Sequence, residues 1–469
     1  MSIRSKVFPM VPLFQVRAMR CSIVHPLRCL IGIVLASCAS QVLAFDLLQA
    51  YRAAAGGGDA TYLAAQSAAD ASREAVPQAR AGLLPSLGIS GSQSRNSLKQ
   101  ERSSFIGGTT SNSYDYPSVG YSLSLRQPIF RLASVAQYFQ AEAQVSAAEA
   151  NLDKETQDLA IRVAGAYFDA LLALERLDLV IAQKGFYAAQ QAMAERALKA
   201  GTGTRTDIDD AKARYDMSAS QEIEARNQVD VTERSLRAIV NQSVVATALR
   251  PIDPQRLKLD LPEPEFLKEW ISRAENENPE LRGMRANLEA AQQEINKNRA
   301  AHLPTIDLVA SKSYSDSENI NTFGYVNKSG SLGIQVNIPL FSGGQVNSAV
   351  RQAVAIQERA RQQLEAARRQ LEVNVSKEFN SVAQGVPRVR ALEQATLSAE
   401  QALSSTRKGV QAGTRSSVDV LNAQQQLAST KLDLVRSRMD YVLGRLRLKA
   451  VAGSLQEADI EQVNNWLAP

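Results

Sequence analysis

The chain repeats its own order of landmarks about 212 residues further on, a period far beyond the roughly 20 to 50 residues of a solenoid unit. The first copy reads Arg80-Ala81-Gly82-Leu83-Leu84-Pro85-Ser86-Leu87, then Gln127-Pro128-Ile129-Phe130, then Ala200-Gly201-Thr202 and Thr206-Asp207-Ile208. The second answers in order with Arg299-Ala300-Ala301-His302-Leu303-Pro304-Thr305-Ile306, Ile338-Pro339-Leu340-Phe341, Ala412-Gly413-Thr414 and Val418-Asp419-Val420. Any fold for this chain must therefore accommodate two pseudo-equivalent halves, each a strand pair flanked by Ala-rich helical pattern.

The strand signals are short but regular. Val119, Tyr121, Leu123 and Leu125 alternate with Gly120, Ser122, Ser124 and Arg126, and Leu332, Ile334, Val336 and Ile338 alternate with Gly333, Gln335 and Asn337. This period of two predicts half-buried strands that stop at the following proline. Leu87 to Asn96 and Ile306 to Tyr314 are their expected partners. Tyr114, Tyr116 and Tyr121, with Phe323 and Tyr325, fall near the polar connecting loops, where a membrane barrel places interfacial aromatics. A half-buried soluble hairpin fits the same alternation. Four strands cannot close a barrel, and bilayer-exposed sheet edges are not tolerated, so a membrane reading requires several chains to share one barrel. Two chains would supply eight strands and three would supply twelve, both of which are barrel sizes.

Residues 131–199 and 344–411 each carry helical pattern for about 68 residues, on the order of 100 Å of helix. Each turns at Ala-Gly-Thr and returns as a shorter helix, Thr206 to Val240 or Ser417 to Ala450, while Leu47 to Leu84 and Glu265 to His302 supply another short pair. On the last helix Val418, Leu421, Ala428, Leu432, Val435, Met439, Val442 and Leu446 form one apolar seam, and Val420, Ala423, Leu427, Thr430, Leu434, Tyr441 and Leu448 a second. Two seams predict two neighbours, as in a sheet or barrel of helices; a broad amphipathic face in an ordinary bundle is the alternative.

Residues 1–44 read as an export signal, with Arg4, Lys6, Arg17, Arg20 and Arg28 ahead of the apolar run Leu30 to Ala36 and a small-residue cleavage site at Val42-Leu43-Ala44. Met10 and Met19 are alternative starts, and Leu35-Ala36-Ser37-Cys38 offers a competing lipoprotein box that would leave Cys38 lipidated. Of the 53 Lys+Arg and 48 Asp+Glu, five basic residues and no acidic one lie in this segment. The remainder is formally neutral and gives no reason to expect a nucleic-acid partner. All three cysteines, Cys21, Cys29 and Cys38, also fall there, which leaves the mature chain without thiol chemistry. The rest contains no continuous apolar stretch of about 18 residues, so a membrane role would need a barrel.

Catalytic candidates are scarce. His302 is the one histidine outside the export segment, and it aligns with Leu83 of the other copy, as a structural residue would. Metal-ligand spacing, a phosphate-cradling loop and a nucleophile elbow are all missing from the sequence, and acidic pairs such as Asp209 and Asp210 sit on solvated helical pattern. The expectation is a protein that is not an enzyme and uses no cofactor or metal.

The duplicated strand–helix plan, the Leu-Leu-Pro and Leu-Pro entries, the Pro-Ile-Phe and Pro-Leu-Phe exits, and Ala-Gly-Thr-Arg-Ser-Ser-Val-Asp-Val-Leu-Asn-Ala over 412–423 resemble the TolC family of outer-membrane channel proteins. The resemblance covers residues 45–465. It implies a mostly α chain with a four-strand β contribution, forming a trimeric 12-stranded outer-membrane β-barrel continued by a 12-helix periplasmic α-barrel. The implied organisation is a signal peptide at 1–44; a first repeat at 45–250 with strand pair 86–127, long helix 131–199 and helix 206–240; an equatorial linker at 251–264; a second repeat at 265–450 with strand pair 305–338, long helix 344–411 and helix 417–450; and a C-terminal equatorial segment at 451–469.

The same resemblance places the turns at Gly201 and Gly413 at the periplasmic tip and makes Arg415 the gating arginine, with Thr206 and Asp207 its partners on the other hairpin and Asp419 an acidic constriction residue. Two departures stand out. Val410 replaces a tip tyrosine and Asn422 a second constriction aspartate, so fewer links and a less negative constriction are expected. The implied partners are two further copies of the chain, a periplasmic membrane-fusion adaptor, an inner-membrane ABC transporter or other efflux pump, an exported protein cargo and outer-membrane lipid. The leading functional expectation is export of protein by type I secretion from the outer membrane into which the periplasmic tunnel leads. A drug or metal efflux duct, and a periplasmic helical adaptor that never enters the bilayer, remain alternatives.

Overall fold

In the computed structural model, which describes residues 45–103, 105, 107–317 and 324–468, the two halves follow the same order of elements. The first half has α1 (Leu47–Ala53), a π turn (Ala54–Gly58), α2 (Ala60–Arg73), α3 (Ala75–Ala81), β1 (Ser86–Ser103), β2 (Thr109–Phe130), α4 (Leu132–Lys199) and α5 (Arg205–Val240). The second has α6 (Leu267–Glu277), α7 (Pro279–Ala300), β3 (Thr305–Ser317), β4 (Tyr325–Asn337), α8 (Gln345–Gln411) and α9 (Ser417–Val451), followed by α10 (Glu457–Asn464). Residues 1–44, read from the sequence as an export signal and including Cys38, and Phe323 lie outside the described residues.

α4 and α8 are 68 and 67 residues long, on the order of 100 Å each. The segments expected to match them as single short helices are broken instead. In the first, Gly56-Gly57-Gly58 interrupts the helix; Gly57 takes φ +124°, and a Cβ at Gly58 would collide with the Val240 carbonyl at the end of α5. In the second, Asn278 precedes Pro279 and leaves the helical region, then caps α7 by accepting a hydrogen bond from the Leu281 N–H at 3.0 Å. Among the described residues, no helix is long and apolar enough to cross a membrane.

The four strands form one antiparallel sheet in the order β1-β2-β3-β4. Its register stacks side chains in rows across all four strands: Leu87, Leu125, Ala310 and Leu332 in one, Ile89, Leu123, Lys312 and Gly330 in the next, Gly91, Tyr121, Tyr314 and Lys328 in the third. This side is apolar and uncovered by the chain, with Ile89 81% and Leu332 75% exposed. The opposite side is lined with serines paired hydroxyl to hydroxyl: Ser90 with Ser122, Ser94 with Ser118, Ser311 with Ser331 and Ser313 with Ser329, at 2.7–2.8 Å. Apolar-out and polar-in alternation is the pattern of a membrane barrel wall.

Two sequence expectations are corrected here. β2 does not stop at Pro128 but runs to Phe130, because the irregular register between Pro128 and Phe130 absorbs the missing N–H. Tyr114 and Tyr116 share the parity of the serine side, so of the three tyrosines near that loop only Tyr121 joins the apolar side, where its ring lies 6.3 Å from Tyr314.

Sheet and helices are joined by two arginines that converge on one buried acid. Asp307 of β3 accepts from Arg126 Nη2 of β2 at 2.6 Å and from Arg131 Nη2, at the start of α4, at 2.9 Å. Midway along the helices the chain gathers its core. Residues following α5 meet the first and last residues described: the Phe45 N–H donates to Ala248 O at 2.8 Å and the Ala468 N–H to Pro251 O at 2.8 Å. Two buried tyrosines pin this belt. The Tyr167 hydroxyl accepts from the Arg250 N–H at 2.9 Å, and the Tyr441 hydroxyl accepts from the Asp260 N–H at 2.9 Å while facing the carbonyls of Lys258 and Asp260. α9 packs against both α8 and α4, the two neighbours its two seams require.

Candidate functional site at the hairpin tips

The α4–α5 and α8–α9 hairpins end in the same local structure. Gly201 and Gly413 adopt φ +74° and +72°, the left-handed conformation that ends a helix with Gly at least cost, and the next N–H bonds back to Ala197 O or Gly409 O at 3.0 or 2.9 Å. Each returning helix then starts with a reciprocal cap. The Asp207 N–H donates to Thr204 Oγ1 at 3.2 Å while Asp207 Oδ2 accepts from the Thr204 N–H at 3.1 Å. Ser416 and Asp419 repeat the arrangement at 3.2 and 2.9 Å.

Asp207 and Asp419 are thus equivalent capping acids, but only Asp207 links the hairpins. Its Oδ1 accepts a hydrogen bond from Ser417 Oγ of α9 at 2.6 Å. That bond is the main cause holding the Asp207 carboxyl below the usual carboxylate range, with Thr204 second. Asp419 is lowered chiefly by the backbone and side chain of Ser416, and also by the charge of Arg415. A second cross-link lies deeper. Arg214 of α5 donates to Asn422 Oδ1 of α9 at 2.8 Å and to Gln425 Oε1 at 3.1 Å.

Within one chain Arg415 is not brought to Thr206 or Asp207. It is exposed, and its stem lies over Gly409, where a Cβ would come within 2.8 Å of Arg415 Cγ. Thr206 is also exposed. Val410 sits half-buried against Leu403, Val420 and Leu427, so the position expected to lose a polar link gains apolar packing. The Arg407 guanidinium lies 5.3 Å from the Phe186 ring centroid, crossing from α8 to α4. Between the hairpins these residues enclose a cavity of about 590 Å³ lined by Phe186, Met193, Asp207, Arg407, Val410, Ser417 and Val420.

Sequence reasoning missed Ser417, Arg214 and Gln425. The Thr-x-x-Asp and Ser-x-x-Asp spacings at 204–207 and 416–419 were available as capping signals. The pairing of Arg214 with residues more than 200 positions away leaves no local trace.

A barrel-wall sheet with an apolar outside and a serine inside, continued by helices on the order of 100 Å long that end in paired capped tips, defines a subunit of an outer-membrane channel with a periplasmic helical tunnel. The chain belongs to the outer membrane efflux protein family, which it matches over residues 59–242 and 270–454. The family is one of membrane conduits rather than enzymes. The chain is 34% identical over 439 residues to the proteases secretion protein PrtF of Dickeya chrysanthemi, covering 93% of this chain and 94% of that one. It is 34% identical over 434 residues to the alkaline protease secretion protein AprF of Pseudomonas aeruginosa, covering 92% and 90%. The fold is shared with the Campylobacter jejuni CmeC outer membrane channel, at TM-score 0.72 and 14% identity over 90% of each chain.

Proposed function

We propose that three copies of this chain close one twelve-stranded barrel in the outer membrane, and that their helices continue it as a periplasmic tunnel through which a protein leaves the cell. The two free edges of the sheet, β1 and β4, support the assembly, because unpaired strand edges in hydrocarbon carry unsatisfied backbone groups. The single observation that carries protein export is the near full-length match, at 34% identity, to two proteins named for protease secretion. In this reading the channel is passive, and a periplasmic adaptor and an inner-membrane ABC transporter supply cargo and energy. Drug or metal efflux is the second reading, favoured by the family's description as efflux proteins.

The tip is the gate of this duct. Asp207–Ser417 and Arg214–Asn422 hold the α8–α9 hairpin against α4–α5 within a protomer. The exposed Arg415 faces Thr206 and Asp207 of the neighbouring protomer, closing a threefold ring in which Asp419 and Asn422 line the constriction. Exposed polar links contribute only about 0–1 kcal/mol each, so a threefold set biases the gate while leaving it openable by a docking partner.

Deleting the gene and assaying the culture for secreted protein and for drug and metal tolerance tests the export reading. Loss of an extracellular protein with unchanged tolerance is expected. Unchanged secretion with lowered tolerance would transfer the chain to efflux.

A further inference from the structure

Within the rows that carry Ile89, Leu123 and Tyr121, the apolar side of the sheet holds Lys312 and Lys328 where a lipid-facing wall has little use for charge; Lys99, of the same parity, lies further towards the β1–β2 loop. Lys312 stands between Leu123 and Gly330 in its row, and Lys328 stands opposite Tyr314, itself opposite Tyr121, in the adjacent row. Equal parity puts Tyr121, Lys312, Tyr314 and Lys328 on the same side as Ile89 and Leu332. Ile89, Tyr121, Leu123, Lys312, Tyr314 and Lys328 line a shallow cavity of about 280 Å³, floored by the tilted Tyr121 and Tyr314 rings. Both lysines are exposed, and among the described residues neither forms an ion pair. The nearest acid by register is Asp316, one row nearer the β3–β4 loop, opposite Val119 and Val326.

Height along the wall identifies what these ammonium groups meet. Counting from the Ile306–Val336 row at the helix end, a rise of about 3.4 Å per residue and a tilt of about 40° put Lys312 about 15 Å and Lys328 about 21 Å towards the loop end. An apolar band of about 25 Å then ends just above Lys328. A lysine stem lies along apolar surface and lifts its ammonium towards the headgroups, so both charges converge on the headgroup level of the outward-facing leaflet.

We propose that Lys312 and Lys328, with the Tyr121–Tyr314 shelf, bind the phosphate of an anionic lipid in that leaflet. The proposal rests on the reading of the sheet as a barrel wall. The two ammonium groups donate to phosphate oxygens, the tyrosines supply the amphipathic rings suited to this depth, and Ile89 and Leu123 receive the acyl chain. The apolar rows below the lysines favour a lipid over a free anion, which has no chain to place there.

The test uses the full chain extracted from outer membranes in nonionic detergent, with retained lipid counted by native mass spectrometry and oligomer mass and bilayer conductance taken from the same preparation. The wild type is expected to retain phosphate-bearing lipid, and the Lys312→Ala, Lys328→Ala double variant about tenfold less, while Lys312→Arg, Lys328→Arg retains it. Phosphatidylglycerol vesicles are expected to raise the melting temperature of the wild type but not of the double alanine variant, and phosphatidylcholine vesicles or inorganic phosphate to raise neither. Equal lipid retention by a conducting double alanine variant would remove the site alone, as would a shift reproduced by inorganic phosphate. A protein that neither inserts nor conducts would remove the barrel wall and the site with it.

Discussion

Asp207 Oδ1 on α5 accepts a hydrogen bond from Ser417 Oγ on α9 at 2.6 Å while its Oδ2 caps its own helix. The two oxygens divide two jobs, so the jobs can be separated by mutation. Ser417→Ala removes the link between hairpins and leaves both caps in place. A half-buried bond of this kind contributes about 1 kcal/mol, and three in a ring about 3 kcal/mol. Closed-state conductance in a planar bilayer is expected to rise, with the open fraction up on the order of 100-fold. Unchanged conductance would take the link out of the gate.

Arg214 reaches Asn422 and Gln425 with one guanidinium fork. Arg214→Ala is expected to loosen the tip by about 0.5–1 kcal/mol per protomer and to remove a positive charge beside the proposed constriction. Reversal potential under a KCl gradient should then move towards cation preference. Arg214→Lys keeps the charge without the fork, so it should loosen the tip and leave selectivity near that of the parent.

The pH dependence follows from the direction of one shift. The Asp207 carboxyl is held below its ordinary value of 3.8 by Ser417 and Thr204. A group with a lowered folded value stabilises the linked state above the ordinary value and loses that contribution as pH falls through the lowered one. Tip closure is therefore expected to be flat across neutral pH and to weaken only below about 4, by conductance. In Ser417→Ala the acid transition should move up towards the ordinary value. A transition near neutrality would contradict the assignment to Asp207.

Tyr441 joins α9 to the belt through the Asp260 N–H at 2.9 Å. Tyr441→Phe leaves that buried donor without its partner and is expected to cost about 1–3 kcal/mol. Thermal unfolding in detergent should report a lowered melting temperature with conductance unchanged, since the tip is far along the helix. Tyr167→Phe is expected to behave alike through the Arg250 N–H.

The long helices and the four strands were legible because their signals are periodic and sustained. α8 runs through Pro387 without a break. The breaks in the shorter segments were missed although Gly56-Gly57-Gly58 and Asn278-Pro279 announce them; helical pattern on both sides masked a local backbone demand. Tyr114 and Tyr116 were misassigned because closeness to a loop was weighed above strand parity. The tip turns could be read from glycine and duplication. Their cross-links could not, because Asp207 meets Ser417, and Arg214 meets Asn422, only after both hairpins have folded and packed.

The most direct test of the whole account is single-channel conductance of the purified mature protein in a planar bilayer, with its mass determined in the same detergent. A trimer with a small, stable conductance that rises in Ser417→Ala is the expected result. A monomer that leaves the bilayer silent would contradict the shared barrel and everything built on it.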